Sequence, residues 1–114
     1  MARYIPAKVD FVAVTFDPQS GHEQKRRRPA LVISNKIFNK ATGFCIVCPI
    51  TNTKRSYLFH VKIQKDSSLS GYIMVEQVKS NNYKARKIKL IEKASNDFMI
   101  DVLGILDACI YQNA

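Results

Sequence analysis

The sequence predicts a mainly β chain that ends in one helix, folded as a small, strongly curved barrel capped by that helix. Three observations carry this. Short β-type runs bounded by turn signals fill most of the chain. The last segment switches to helical spacing. The 114 residues suit one domain, 1–114, and no internal repeat or interdomain linker divides them.

The elements follow in order. Residues 11–16 are β-branched and aromatic and stop at Asp17-Pro18. Asp17, Pro18 and Gly21 signal a turn into a polar loop that runs to Pro29. Residues 30–34 are apolar throughout, as expected of a central strand. Residues 35–43 connect, with one helical turn around Ile37 and Phe38, and 44–50 form the third strand. In 57–63, Tyr57, Phe59, Val61 and Ile63 alternate onto one face. Residues 71–75 read as a strand, 76–82 as a turn or short helix, and 87–91 as a last strand with Ile88 and Leu90 inward. Ser95 suits a helix N-cap and Asp97 the first turn. Met99, Val102/Leu103, Leu106 and Cys109/Ile110 then recur as a stripe that packs on the sheet, with Gly104 its weak point.

Eighteen Lys and Arg against nine Asp and Glu leave a net charge of +9. A small domain this basic attracts polyanions such as RNA, DNA, acidic membranes or acidic proteins; the plainer reading is solubility. The N-terminus resembles no signal peptide, and the longest apolar stretch, 44–50, is only strand length, so no membrane partner and a cytoplasmic location are expected. Three cysteines is an odd count and argues against a disulfide framework. Cys45 and Cys48 form a C-x-x-C, but an offset of three in a strand sends the sulfurs to opposite faces, and no matching Cys or His pair exists. Buried structural thiols are expected, not zinc or redox chemistry.

P-loop, G-x-G-x-x-G and H-E-x-x-H motifs are absent. The two histidines, His22 in the basic loop and His60 in mid-strand, are not placed together by any pattern. Residues 23–29 concentrate four positive charges beside Glu23 and Gln24. Such a run is usually a solvated loop, yet it can also grip phosphates through guanidinium forks. Arg28 differs from its neighbours because it precedes Pro29 at the start of a central strand, where the backbone is restrained and the side chain can be aimed. Thr51 and Thr53 follow the third strand, as turn hydroxyls or as hydroxyls facing a concave surface. A second basic cluster, 84–89 with Tyr83 beside it, has the composition of a single-strand groove or of a protected edge strand.

Several segments together resemble one family. Phe16-Asp17-Pro18, Gly21-His22-Glu23-Gln24 and Arg28-Pro29 lead into 30–34. Phe38-Asn39-Lys40-Ala41-Thr42-Gly43, Cys48-Pro49-Ile50-Thr51, Gln77-Val78-Lys79-Ser80 and Lys84-Ala85-Arg86 follow. In this order they resemble the MazF/PemK toxins of toxin–antitoxin systems, from about Tyr4 to the final helix. The resemblance implies an SH3-like barrel of the plasmid-maintenance-toxin type, a homodimer, cleavage of single-stranded mRNA at short sequences, and inhibition by an antitoxin with an acidic, flexible segment. It implies Arg28 and Thr51 as catalytic residues, with Glu23 and His22 as candidate helpers. Gln24, Lys25, Arg26, Arg27, Thr53, Lys54, Glu76, Gln77, Lys79 and Arg86 become candidate RNA contacts.

Three positions depart from the family pattern. Val9 stands where Gly is usual, Glu76 where Asp is usual, and Tyr83 where Trp is common. Neither Val9 nor Glu76 touches the Arg28/Thr51 pair.

RNA carries its own nucleophile, the 2′-OH, so the expected reaction requires neither metal nor cofactor. The protein must align the groups, stabilise the phosphorane and move protons. A guanidinium with a pKa above about 12 is a poor base, so Arg28 is expected to act first through charge. Two alternatives come from other classes: a toxin of the same fold that poisons DNA gyrase by binding it, and a non-catalytic RNA-binding barrel.

Overall fold

The computed structural model describes residues 4–15, 27–53, 59–63 and 67–111. Its strands are β1 (Asp10–Thr15), β2 (Arg27–Val32), β3 (Phe44–Thr51), β4 (His60–Lys62), β5 (Tyr72–Met74), β6 (Lys79–Asn82) and β7 (Lys89–Lys93). Helix α1 (Lys36–Thr42) joins β2 to β3, and α2 (Asn96–Ile110) ends the described chain. The sheet order is β4-β5-β3-β2-β1-β7, with β6 also on β3. Every pairing is antiparallel. The mainly β fold closed by a C-terminal helix is therefore as expected, and the apolar run of β2 lies at the centre of the sheet.

Strand alternation divides the interior in two. Phe11, Leu31, Cys48, Ile50, Ile73 and Val75 meet Phe98, Met99 and Val102 of α2 on one face. Val12, Val14, Ala30, Val32, Cys45 and Val47 meet Tyr83 and Ile88 on the other. Cys45 and Cys48 thus lie on opposite faces of β3. Burial pushes both thiols up to about 12, so both are protonated at neutral pH.

Four local expectations need correction. The single turn around Ile37 is a seven-residue helix. Asn35 caps it, accepting from Phe38 N at 2.8 Å, and Gly43 ends it in a left-handed conformation at φ +77°. The expected turn over 76–82 is a short 3₁₀ turn, Val75–Gln77, followed by strand β6. Lys79-Ser80-Asn81-Asn82 has little strand propensity; the free side of β3 imposes the pairing, Phe44 opposite Asn82 and Val47 opposite Lys79. Leu90 is 45% exposed, because it lies on the end strand β7, whereas Ile88 is buried just before it. On α2 the buried stripe stops early: Phe98, Met99 and Val102 are inside, but Cys109 and Ile110 are exposed. Ser95 caps this helix as expected, accepting from Phe98 N at 3.3 Å.

Val9 has a positive φ of +87°, a backbone region that suits glycine and strains a β-branched residue. Hydrogen bonds on both sides hold it there, Val9 N to Val32 O at 3.0 Å and Ala94 N to Val9 O at 2.6 Å. Its side chain is buried in the α2-side core, which offsets the strain. At an ordinary buried site Gly is worse than Ala. Here Val9→Gly is expected to be no less stable than Val9→Ala, each within about 2 kcal/mol of wild type. Urea unfolding of both variants checks this, and a glycine variant clearly weaker than the alanine variant would refute the strain argument.

Candidate active site

The centre of the sheet sets the geometry. Arg28 pairs with Val14 across β1·β2. Across β2·β3 the register is Ala30 opposite Pro49, Leu31 opposite Cys48 and Val32 opposite Val47. The ladder ends there; Arg28 lies two residues before Ala30 in β2 and Thr51 two residues after Pro49 in β3, so strand alternation turns each to the face of that last pair. Directly opposed residues in an antiparallel pair point to the same face. That face is the one whose core holds Ala30 and Val47. Arg28 is exposed and Thr51 half-buried, so both are reachable at the ends of well-packed strands. Sequence reasoning set both residues beside their strands; the structure incorporates both into them, which fixes their direction.

The Thr51 hydroxyl is oriented. Its Oγ accepts from Thr53 N at 3.1 Å, so its own proton is directed away from that amide, available to an incoming acceptor. Thr53, a candidate RNA contact, contributes its backbone here while its side chain lies on an exposed residue.

The other candidates divide. The Arg27 guanidinium donates to the Lys87 carbonyl, and Arg86 Nη1 donates to Thr15 O at 3.2 Å. Both arginines therefore tie the turn after β6 to the ends of β1 and β2, next to Arg28. Lys79 lies opposite Val47 and so shares the face of Thr51. Gln77 is exposed on the 3₁₀ turn. Glu76 takes a different direction: its Oε2 sits 2.9 Å from His60 Nε2, and the His60 side chain is only 3% exposed. Its charge also adds to burial in raising the Cys48 thiol, and Cys48 belongs to the face opposite Thr51. Sequence reasoning left His60 without a role; only the fold brings it to Glu76, sixteen residues away. His22, Glu23, Gln24, Lys25, Arg26 and Lys54 lie outside the described residues.

Tyr83 is not a stacking platform. It is 3% exposed, and its hydroxyl donates to Asn39 O at 3.0 Å. With Tyr4, Lys84, Lys87 and Ile88 it lines an open groove of about 310 Å³. Among the described residues no three His, Cys, Asp or Glu side chains cluster so as to hold a metal ion. No helix among them is long and apolar enough to cross a membrane.

Comparison with known proteins bears on what this face belongs to. Residues 7–110 match the sequence profile of the PemK-like, MazF-like toxins of type II toxin–antitoxin systems. The chain belongs to this toxin family. The matched span takes in both Arg28 and Thr51. The toxin is 37% identical over 86 residues to the endoribonuclease toxin MazF of Escherichia coli K12, covering 75% of this chain and 77% of that protein. It is 38% identical over 106 residues to the endoribonuclease toxin ChpB of the same strain, covering 89% and 90%. The fold superposes on MazF from Deinococcus radiodurans with a TM-score of 0.85 at 32% identity, covering 96% of this chain and all (100%) of that one. A MazE–MazF structure from that organism gives 0.87 at 29% identity, with 96% and 100% coverage. The small barrel-like fold of these toxins is thus the fold of this chain.

Proposed function

We propose that this toxin is an endoribonuclease that cleaves single-stranded mRNA at short sequences. The observation that carries the reading is the placement of Arg28 at the start of β2 and Thr51 at the end of β3, neighbouring antiparallel strands, so that an exposed guanidinium and an oriented hydroxyl stand at the same end of the strand pair. The named activity of the E. coli relatives supports it.

The reaction draws its nucleophile from the substrate. The 2′-oxygen attacks the adjacent phosphorus and gives up its proton to a base. The bond from phosphorus to the 5′-oxygen breaks, and that oxygen takes a proton as it leaves. The products are a 2′,3′-cyclic phosphate and a 5′-OH end. Arg28 stabilises the charge that accumulates on the phosphorane, and Thr51 donates to a non-bridging oxygen. Glu23 and His22 are assigned to the proton transfers. Lys25, Arg26, Lys54 and Lys79, with Gln24, Thr53 and Gln77, are the proposed RNA contacts, and a chain of net charge +9 draws the strand in.

Two partners belong to the same reading. The Deinococcus relative is solved with MazE, and the charge of this chain suits an antitoxin with an acidic segment. A second copy of the toxin is assigned to the outer side of α2, where Ile110 is 65% exposed and Ile100, 68% exposed, lines an open groove with Ile105 and Ala108. The site of action is then the cytoplasm, where mRNA is found.

The test is incubation of the purified protein with total RNA in EDTA, followed by sequencing of the new 5′ ends. Fragments with 5′-OH ends at a recurring short sequence are expected. Intact RNA together with inhibited gyrase would favour the gyrase-poison alternative.

A further inference from the structure

Thr51 is the last residue of β3, and across the sheet it pairs with Tyr72. The residue before Tyr72 is Gly71, with φ +117°. A Cβ built on Gly71 would come closer than 3.0 Å to the carbonyl oxygen of Thr51 and would stand 3.0 Å from Asn52 Oδ1. The first of these contacts is with backbone, which cannot rotate aside as a side chain does. Gly71 cannot easily retreat either, because its own carbonyl accepts from Ile63 N at 2.9 Å. Any side chain at position 71 therefore displaces the peptide of Thr51. That is the peptide from which the hydroxyl hangs, in a turn closed by the 3.1 Å bond from Thr53 N. Gly104 offers the contrast, since a Cβ there meets nothing within 4 Å.

We infer that Gly71 is a positioning residue of the cleavage site: its missing side chain lets the β5 backbone abut Thr51 and so sets where the Thr51 hydroxyl meets the phosphate. The inference rests on the catalytic reading of Thr51 given above. Gly71 touches no substrate; it acts through Thr51. A displacement of about 1 Å at a positioned group is enough to cost about 100-fold in rate, so a methyl at position 71 is expected to act on turnover more than on binding.

The experiment is a double-mutant cycle on a fluorescent single-stranded RNA containing one cleavage site, with Gly71→Ala, Thr51→Ala and the double variant. Gly71→Ala is expected to lower kcat about 10- to 100-fold with little change in KM. In the Thr51→Ala background the same change is expected to add almost nothing, because the group it displaces is already gone. If Thr51→Ala cleaves like wild type, the catalytic reading of Thr51 fails and the inference fails with it. If Thr51→Ala is impaired but Gly71→Ala keeps its kcat, changes only KM, or multiplies with Thr51→Ala, that reading stands and the inference about Gly71 is overturned. Folding is monitored by circular dichroism; a variant that unfolds in plain buffer is assayed with an osmolyte that restores compact states, beside wild type in the same buffer. A Gly71→Ala chain that stays unfolded even then overturns the inference too, since Gly71 would be a requirement of the fold itself.

Discussion

Arg28→Ala is expected to lower kcat for RNA cleavage by about 10²–10³-fold while leaving RNA affinity within a few-fold of wild type. The asymmetry follows from where the charge is needed. Binding is spread over a chain of net charge +9, so one cation fewer changes it little. The phosphorane gathers its extra charge at one point, and Arg28 is exposed at the start of β2, beside the strand that ends in Thr51. Arg28→Lys should fall between the two, because an ammonium keeps the charge but loses the planar fork. Cleavage of a labelled oligonucleotide under single-turnover conditions, with anisotropy for binding, reads both quantities. An alanine variant that cuts at near wild-type rate would remove Arg28 from the chemistry.

Asn39→Ala is expected to destabilise the fold by about 3 kcal/mol and to lower the melting temperature by about 12 °C. Asn39 is fully buried. Its Nδ2 donates to Pro6 O at 2.7 Å and to Ser34 O at 3.2 Å, and its Oδ1 accepts from Ser34 Oγ at 2.5 Å. Ser34 Oγ in turn accepts from Ile46 N at 2.8 Å, and Tyr83 reaches the Asn39 carbonyl. Asn39 on α1 thus joins the N-terminal segment to Ser34, just after β2, and through Ser34 to β3. Alanine leaves buried polar groups without partners, which costs more than the lost bonds themselves. Thermal unfolding followed by circular dichroism tests this, and a shift under 2 °C would show that the network is replaceable by water. Activity per folded molecule should be retained, which separates this residue from Arg28.

The strands with strong internal signals were legible in the sequence. The apolar stretches 30–32 and 45–50 needed no partner to be recognised, although β2 begins earlier than expected, at Arg27, and ends at Val32, before Ser34. Strand β6 was not legible, because Lys79, Ser80, Asn81 and Asn82 pair only where β3 offers a free side. The exposed Leu90 and the exposed end of α2 were misread for a related reason: local spacing says which face is apolar, while only the neighbouring elements say how far the core extends. The same holds at the candidate site. The restraint on Arg28 before Pro29 is local, whereas the burial of Tyr83 against Asn39 comes from a contact 44 residues distant in sequence.

The sequence alone determined the basic charge, the run of short strands before a terminal helix, and the motif order that points to a toxin ribonuclease with Arg28 and Thr51 at its centre. Those features depend on residue type and near neighbours. The tertiary structure decided that β2 and β3 pair with Arg28 and Thr51 at neighbouring strand ends, that Arg27 and Arg86 tie a turn beside Arg28, that Glu76 turns to His60, and that Gly71 lies against Thr51. Each of these relates residues far apart in the chain through strand pairing or backbone approach, and none is written in the local pattern of residue types.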